Sequence, residues 1–221
     1  MPTFTGLSLE QAIHRADAVY RQPDWSFDTA TARYRNAATG RFLSQRDALQ
    51  LTERSIAAAS RDLEAQVLAL AQGVTALGEW QRSLALLLKQ LHLGQFLLGR
   101  GGIAHTTPAD FLAVGRILKD EYRYLEGFGQ DLAAGRLSGA QARARARLYL
   151  AKSRLSFWAG QRQAQAQGPL PVEMRRLLAP VEHCAECIRY AAAGWMPLGL
   201  LPLPTVDCSC RSNCRCTVQY R

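Results

Sequence analysis

The sequence lacks cysteine in its first 183 residues, acidic side chains from residue 132 to residue 172, and any long apolar run. A membrane-spanning helix needs about 20 consecutive apolar residues, whereas the longest apolar run, Leu84–Leu88, ends at Lys89. The N-terminus has no basic segment followed by an apolar one, which a secretory signal requires. We therefore expect no membrane contact, and a chain that stays in the cytoplasm or is carried inside a larger assembly.

The sequence also lacks a recognisable catalytic motif. His14, His92 and His105 stand apart from one another, and none accompanies a nucleophile motif. We therefore expect that the protein is not an enzyme. The composition is otherwise ordinary, with 48% hydrophobic and 20% charged residues, which favours a folded chain with a sizeable core over disorder.

Positive charge is confined to the C-terminal part of the chain. Residues 1–131 hold 14 Lys and Arg against 14 Asp and Glu, so they are neutral. Residues 132–221 hold 13 against 4 and carry the whole net charge of +9.

The first 43 residues are predicted to form a short helix followed by an extended arm. Ser8 and Gln11 have the pattern of a capping box, and Pro23 would end the helix. The segments Arg33–Arg35 and Arg41–Leu43 are typical of a small hairpin. Because such a pair of strands is marginally stable alone, we expect the arm to need a partner surface.

The strongest pattern is a seven-residue repeat of large aliphatic side chains. It comprises Leu49, Ile56, Leu63, Leu70, Leu77, Leu84, Leu91 and Leu98. The period is that of an apolar helix face, and Ser44 with Asp47 suits the start of such a helix. A strict repeat drifts by about 20° per heptad on a straight helix, so we expect a supercoil, a bend or two helices, with Gly73 and Gly78 as break points. Core packing within the chain is favoured over a coiled coil with another chain, because flanking charges are not systematically paired.

Two further helices are predicted before residue 168. Thr107 with Pro108 suits the start of one, after Gly99–Gly102 has ended the repeat. Ser138 opens a third long helix that runs to about Gln167. Its expected apolar stripe is Leu148, Ala151, Leu155 and Trp158. Residues 172–179 are expected to add one or two helical turns.

The helix after Ser138 carries basic side chains without acidic neighbours in sequence. Arg143, Arg147 and Arg154 fall on one side of it and define a basic strip. Such a strip suits a phosphate backbone or an acidic protein surface, and a solvated helix face is an equally weighted alternative. Nothing in it indicates base-specific readout.

All six cysteines lie between residues 184 and 216, and we predict that they bind structural zinc. They are Cys184, Cys187, Cys208, Cys210, Cys214 and Cys216. A Cys-x-x-Cys pair places two thiolates on one tetrahedral ion, and the closing group offers four more sulfurs. The second interpretation is three disulfides, but no secretory signal supports the oxidising compartment that they need. The third and weakest is a redox-active Cys-x-x-Cys. Four ligands leave two thiols as alternative ligands, ligands to a second ion, or bystanders.

The predicted fold class is mainly α, in three parts. Residues 1–43 form the N-terminal helix and extended arm, and residues 44–168 form a long-helix domain. Residues 169–221 form a loop-rich zinc-knuckle module. Within that module, the apolar, proline-rich residues 194–204 cannot form a regular helix; we expect Trp195 and the leucines there to pack around the metal, with an exposed docking strip as the alternative.

The cysteine-rich end resembles minor head proteins of tailed bacteriophages, the head-morphogenesis group. The resemblance is carried by His183-Cys184-x-x-Cys187, by Gly194-Trp195-x-Pro197, and by the terminal Asn213-Cys214-Arg215-Cys216. The helical region from Gly101 to Tyr149 is also similar. Cys208 departs from the group's pattern and leaves the ligand set open.

This resemblance implies a virion structural protein that lies near the portal or the inner capsid surface and assists head assembly or genome packaging and delivery. The implied partners are the portal protein, the major capsid protein and packaged DNA, with several copies in a particle assembled in the host cytoplasm. The alternative function is a zinc-stabilised, non-sequence-specific nucleic-acid-binding protein outside a virion. A third, weaker alternative is an enzyme with its nucleophile in the cysteine cluster, for which no base is identifiable.

Overall fold

The computed structural model describes residues 25–168 and 172–221, which form a mainly helical fold. The helices are α1 (Gln45–Ala71), α2 (Leu77–Arg100), α3 (Pro108–Ala133), α4 (Gly139–Lys152), α5 (Arg154–Gln165) and α6 (Ala185–Ala192), with 3₁₀ turns at Ile103–His105 and Arg211–Asn213. The strands are β1 (Trp25–Asp28), β2 (Arg33–Asn36), β3 (Glu173–Leu177), β4 (Met196–Pro197) and β5 (Thr217–Tyr220). The helix predicted after Ser8 lies outside the described residues.

Three helix starts predicted from capping residues are confirmed. The Ser44 hydroxyl oxygen accepts a hydrogen bond from the Asp47 amide, and the Asp47 carboxylate accepts one from the Ser44 amide. Thr107 forms the same reciprocal box with Asp110, and Ser138 forms it with Gln141. Each box satisfies backbone N–H groups that the first helical turn leaves without an intrahelical partner.

The heptad repeat is divided between two helices of the same chain. α1 ends at Ala71, and Gly73 adopts a left-handed backbone with φ of +70° in the turn before α2. The repeat residues Ile56 and Leu63 on α1, and Leu84 and Leu91 on α2, are buried in one shared core. The repeat therefore packs inside the chain, and its break lies at one of the two glycines expected.

The long helix predicted from Ser138 to Gln167 is two helices, and its expected apolar stripe is wrong in part. The chain breaks at Ser153, which separates α4 from α5. Leu148 is exposed, and α4 buries the alanines at 142 and 146 with Tyr149 and Leu150 instead. The break lets α5 turn its buried face, which includes Phe157 and Trp158, against α2.

The N-terminal arm is ordered against the end of α2. β1 and β2 form an antiparallel pair in which Phe27 faces Tyr34, while the predicted second hairpin segment contributes one bridge, from Arg35 to Phe42. The Tyr34 hydroxyl donates to the Gly99 carbonyl. A Cβ on Gly101 would lie 2.4 Å from the Phe27 backbone nitrogen, so glycine is required for this approach.

The segment predicted as helical turns at 172–179 is the central strand of a sheet, so that prediction is wrong. β3 pairs antiparallel with β4 on one side and β5 on the other, with Met174 opposite Met196 and Tyr220. Met174 and Arg176 point inward and their neighbours outward. This alternation has the two-residue period of a β-strand. A segment of five residues is too short for that period to stand out in the sequence.

One apolar core joins the helices to the C-terminal sheet. Met174, Leu201, Leu203 and Val218 belong to the same cluster of buried side chains as the leucines of α1 and α2. Four buried cysteines form a second cluster beside it. Among the described residues, no helix is both long enough and apolar enough to cross a bilayer.

Candidate metal centre

Three short segments bring the six cysteines together. Cys184 is the N-cap of α6, and Cys187 lies in its first turns. Cys208 and Cys210 lie in the loop that leads to the second 3₁₀ turn, and Cys214 and Cys216 follow that turn before β5. The sequence spacing predicted the meeting of the Cys-x-x-Cys pair with the closing group, and the structure places them in one cluster.

Two hydrogen bonds hold α6 against the loop that carries Cys208 and Cys210. The Ser209 hydroxyl donates to the Glu186 carboxylate at 2.9 Å, and the Tyr190 hydroxyl donates to the Asp207 carbonyl at 2.8 Å. Hydrogen bonds from the Cys184 thiol and from Ser209 lower the pKa of Glu186 to about 2. These contacts fix the two cysteine-bearing segments relative to each other.

The thiols surround Cys187, which is fully buried. Its sulfur lies 3.7 Å from the Cys214 sulfur and 4.0 Å from the Cys210 sulfur. The donor atoms of Cys184, Cys187 and Cys208 all lie within 4.8 Å of one another. All six cysteines are free thiols in this arrangement.

These spacings fit a tetrahedral metal–thiolate site. With zinc–sulfur bonds of ~2.3 Å, the edge between two sulfurs of a tetrahedron is ~3.8 Å. The observed separations around Cys187 bracket that edge. The donors therefore lie close enough together to hold a metal ion, which would tie α6 to the segment before β5.

His183 is a seventh possible metal ligand beside the six cysteines. The ligands predicted from the sequence did not include it. Its Nδ1 lies 3.6 Å from the Cys216 sulfur, and His183, Cys187 and Cys216 form a second triad within 4.8 Å. Its Nε2 lies 2.7 Å from the Ala179 carbonyl, to which it can only donate. That bond leaves the Nδ1 lone pair free for a metal, as outer-shell carbonyls do at histidine ligands. The adjacency of His183 to Cys184 was the signal available in the sequence.

The thiols differ in how readily they lose their protons. Burial alone would raise the pKa of Cys184, but hydrogen bonds from the Cys210 thiol and the Cys187 backbone outweigh it and lower the pKa to about 6. Burial raises the pKa of Cys187, and it raises the pKa of Cys208 to about 11. Because metal binding requires thiolates, a metal entering this cluster must displace protons from the buried thiols.

A buried arginine lies beside the cluster without a carboxylate partner among the described residues. Arg176 is 2% exposed, and its Nη2 donates to the Pro202 carbonyl while its Nε and Nη1 have no hydrogen-bond partner in the described chain. Burial raises the pKa of the Cys216 thiol, and the charge of Arg176 opposes that rise. Its guanidinium lies over the Tyr190 ring, 5.3 Å from the ring centre, but a buried cation without an anionic partner is costly. Four thiolates around one divalent ion carry a net charge of about −2, which would supply an anionic partner for Arg176.

Two of the three arginines in the basic strip predicted after Ser138 are paired with acidic side chains of α1. Arg147 pairs with Glu64 of α1, and the buried Arg154 pairs with Glu53 of α1 through two bonds of 2.5 and 2.7 Å. Arg143 is exposed. The acidic partners lie on α1, far away in sequence; Glu53 precedes Arg154 by about 100 residues. The sequence around the strip, which has no acidic residues, therefore gave no sign of them.

Comparisons of the chain with protein-family models, with curated proteins and with solved structures found no match. The case for a metal centre therefore rests on the donors, their spacing and the buried Arg176.

Proposed function

We propose that this protein is a structural or assembly component of a tailed-phage virion, with a C-terminal module that zinc stabilises. The observation that carries the proposal is that the segments of the resemblance meet at one place. His183, Cys184 and Cys187 approach Cys214 and Cys216 although about 27 to 33 residues separate them in sequence. Residues that resemble phage head proteins in sequence therefore also form a common centre.

In this role the metal has a structural task. The module offers few buried apolar side chains of its own, and its loops carry several strained positions, such as Asp207 and Arg211 with positive φ. Metal binding to such a module is coupled to its folding. Zinc would fix α6 and the final strand into one rigid end for contact with the portal protein or the major capsid protein.

Nucleic-acid binding outside a virion is a second candidate function, favoured by the position of the charge. The net +9 lies after residue 131, and Arg211 and Arg215 are exposed beside the cysteine cluster. Arg147 and Arg154 no longer support it, because Glu64 and Glu53 balance them. Packaged DNA would be the nucleic-acid partner only in the virion role.

The proposal is tested by producing the full chain together with the proteins encoded by its neighbouring genes. A virion component should co-purify with assembled heads at a fixed ratio that survives high salt. A nucleic-acid-binding protein should instead detach steeply as salt rises, because its contacts depend on counterion release. Absence of the chain from washed heads would overturn the virion role.

A further inference from the structure

The cluster contains more donors than one tetrahedral ion can use. Six thiols and the His183 imidazole supply seven ligand atoms, and a single structural zinc ion takes four. The three donors left over would include cysteines that pack directly against the others. A centre with one ion therefore leaves part of the cluster unexplained.

The donors fall into two triads that share one member. His183, Cys187 and Cys216 form one, and Cys184, Cys187 and Cys208 form the other. Each triad has a further cysteine at hand, since the Cys187 sulfur lies 3.7 Å from Cys214 and 4.0 Å from Cys210. Cys210 is also hydrogen-bonded to Cys184.

We propose that the centre holds two divalent metal ions that share the Cys187 thiolate as a bridge. One ion is held by Cys187 and Cys216 with His183, and Cys214 is its fourth ligand. The other is held by Cys187, Cys184 and Cys208, and Cys210 is its fourth ligand. Two tetrahedral ions need eight ligand positions, which seven donors supply when one thiolate binds both ions.

The chemistry of the site suits this assignment. A thiolate sulfur has more than one lone pair, so it can bind two ions, and Cys187 is the fully buried thiol that contacts both halves. For the nitrogen-containing site, bonds of ~2.05 and ~2.3 Å give a tetrahedral N–S edge of ~3.6 Å, which matches the distance from His183 Nδ1 to Cys216 Sγ. Six thiolates and two divalent ions sum to about −2, so the centre would again be an anionic partner for Arg176.

The inference rests on the metal binding proposed above and not on the virion role. Metal analysis of the reduced, full-length protein after zinc loading and removal of excess zinc should find about two ions per chain. His183→Ala and Cys208→Ser each remove a ligand from a different ion, so each variant should retain about one. His105→Ala, which changes a histidine in the turn after α2, is the matched control and should retain two.

Cadmium NMR on the wild-type protein tests the bridge without relying on variants that fail to fold. Loading with isotopically enriched cadmium should give two resonances, one from a site with four sulfurs and one from a site with three sulfurs and a nitrogen, with scalar coupling through the shared sulfur. One ion per chain would overturn the two-ion centre and leave the zinc-stabilised module standing. Two uncoupled ions would overturn the bridge, and no bound metal would overturn both proposals.

Discussion

At the scale of single residues, polar groups in the helical core are held in defined protonation states. His92 of α2 is fully buried, and its Nδ1 lies 2.8 Å from the Ser156 hydroxyl of α5. Burial, helped by the charge of Lys152, lowers the pKa of His92 to about 3. The imidazole is therefore neutral in the folded protein near pH 7.

Stability should consequently fall as pH falls below the ordinary histidine pKa of about 6.5. Between pH 6.5 and about 3, the unfolded chain binds a proton at His92 and the folded chain does not. This residue alone therefore lowers the free energy of unfolding by up to ~1.4 kcal/mol for each pH unit in that range. Urea unfolding of wild type and His92→Asn should show a difference in free energy that shrinks from pH 7.5 to pH 5. Effects of the metal cancel in that difference, and a constant difference would show that His92 has the same pKa in the folded and the unfolded chain.

Arg176 allows a second test at this scale. Its charge opposes the rise that burial causes in the pKa of Cys216, so removing it should let protons compete better with the metal. We expect Arg176→Met to move the midpoint of acid-induced zinc release to higher pH, measured with a chromophoric chelator. Arg175→Met is the matched control, because Arg175 is the next residue of β3 and its guanidinium stacks on Trp195, 4.6 Å from the ring centre. Equal midpoints in the two variants would contradict a role for Arg176 at the centre.

Among the helices, α2 and α5 cross with their backbones close together. A Cβ on Gly99 would lie 2.1 Å from the Phe157 carbonyl oxygen, and one on Gly160 would lie 2.3 Å from the Phe96 carbonyl oxygen. Each glycine therefore faces the backbone of the other helix. Since backbone cannot rotate aside as a side chain can, the absence of both Cβ atoms sets the distance between the helices.

Gly160→Ala should destabilise the fold by about 3 kcal/mol or more, because the added methyl forces α2 and α5 apart. Gly127→Ala on α3 is the matched control, since no atom lies within 4 Å of its added Cβ. There the higher helix propensity of alanine should stabilise the protein by up to ~1 kcal/mol. Thermal and urea unfolding of the two variants measure both effects, and a Gly160→Ala variant as stable as Gly127→Ala would contradict the observed crossing.

At the scale of the whole molecule, ion pairs between α1 and the later helices redistribute the charge that the sequence segregates. The neutral first part of the chain supplies Glu53 and Glu64 to Arg154 and Arg147 of the basic part. Lys152 is paired in the same way with the buried Glu121 of α3. The excess positive charge therefore remains on other side chains, such as the exposed Arg211 and Arg215.

Arg154→Gln should lower stability rather than DNA binding. The Arg154 side chain is 11% exposed, so its loss removes two charge-assisted bonds to Glu53 from a shielded position, and we expect a cost of about 1–2 kcal/mol. Arg143→Gln, on the exposed side of α4, should leave stability unchanged and serves as the control. The salt dependence of DNA binding should be the same for wild type and Arg154→Gln. A flatter dependence in this variant would mean that Arg154 contacts phosphate.

The helical class, three capped helix starts and the heptad register could be predicted from the sequence. Those features depend on residues close together in the chain: Ser44 with Asp47, Thr107 with Asp110, and an apolar side chain every seventh position. The sequence also indicated a metal site from the grouping of the cysteines. Its spacing alone left open which thiols meet and how many ions they hold.

The features that could not be predicted depend on contacts between segments that are distant in sequence. The break at Ser153 follows from the packing of α5 on α2 at Gly99 and Gly160, and the strand at residues 173–177 exists because β5 pairs with it. Arg154 is neutralised by a glutamate 101 positions earlier, and His183 becomes a donor because Ala179 orients its ring towards Cys216. Local patterns encode local hydrogen bonds and periodic burial, whereas these partners are set by the path of the whole chain.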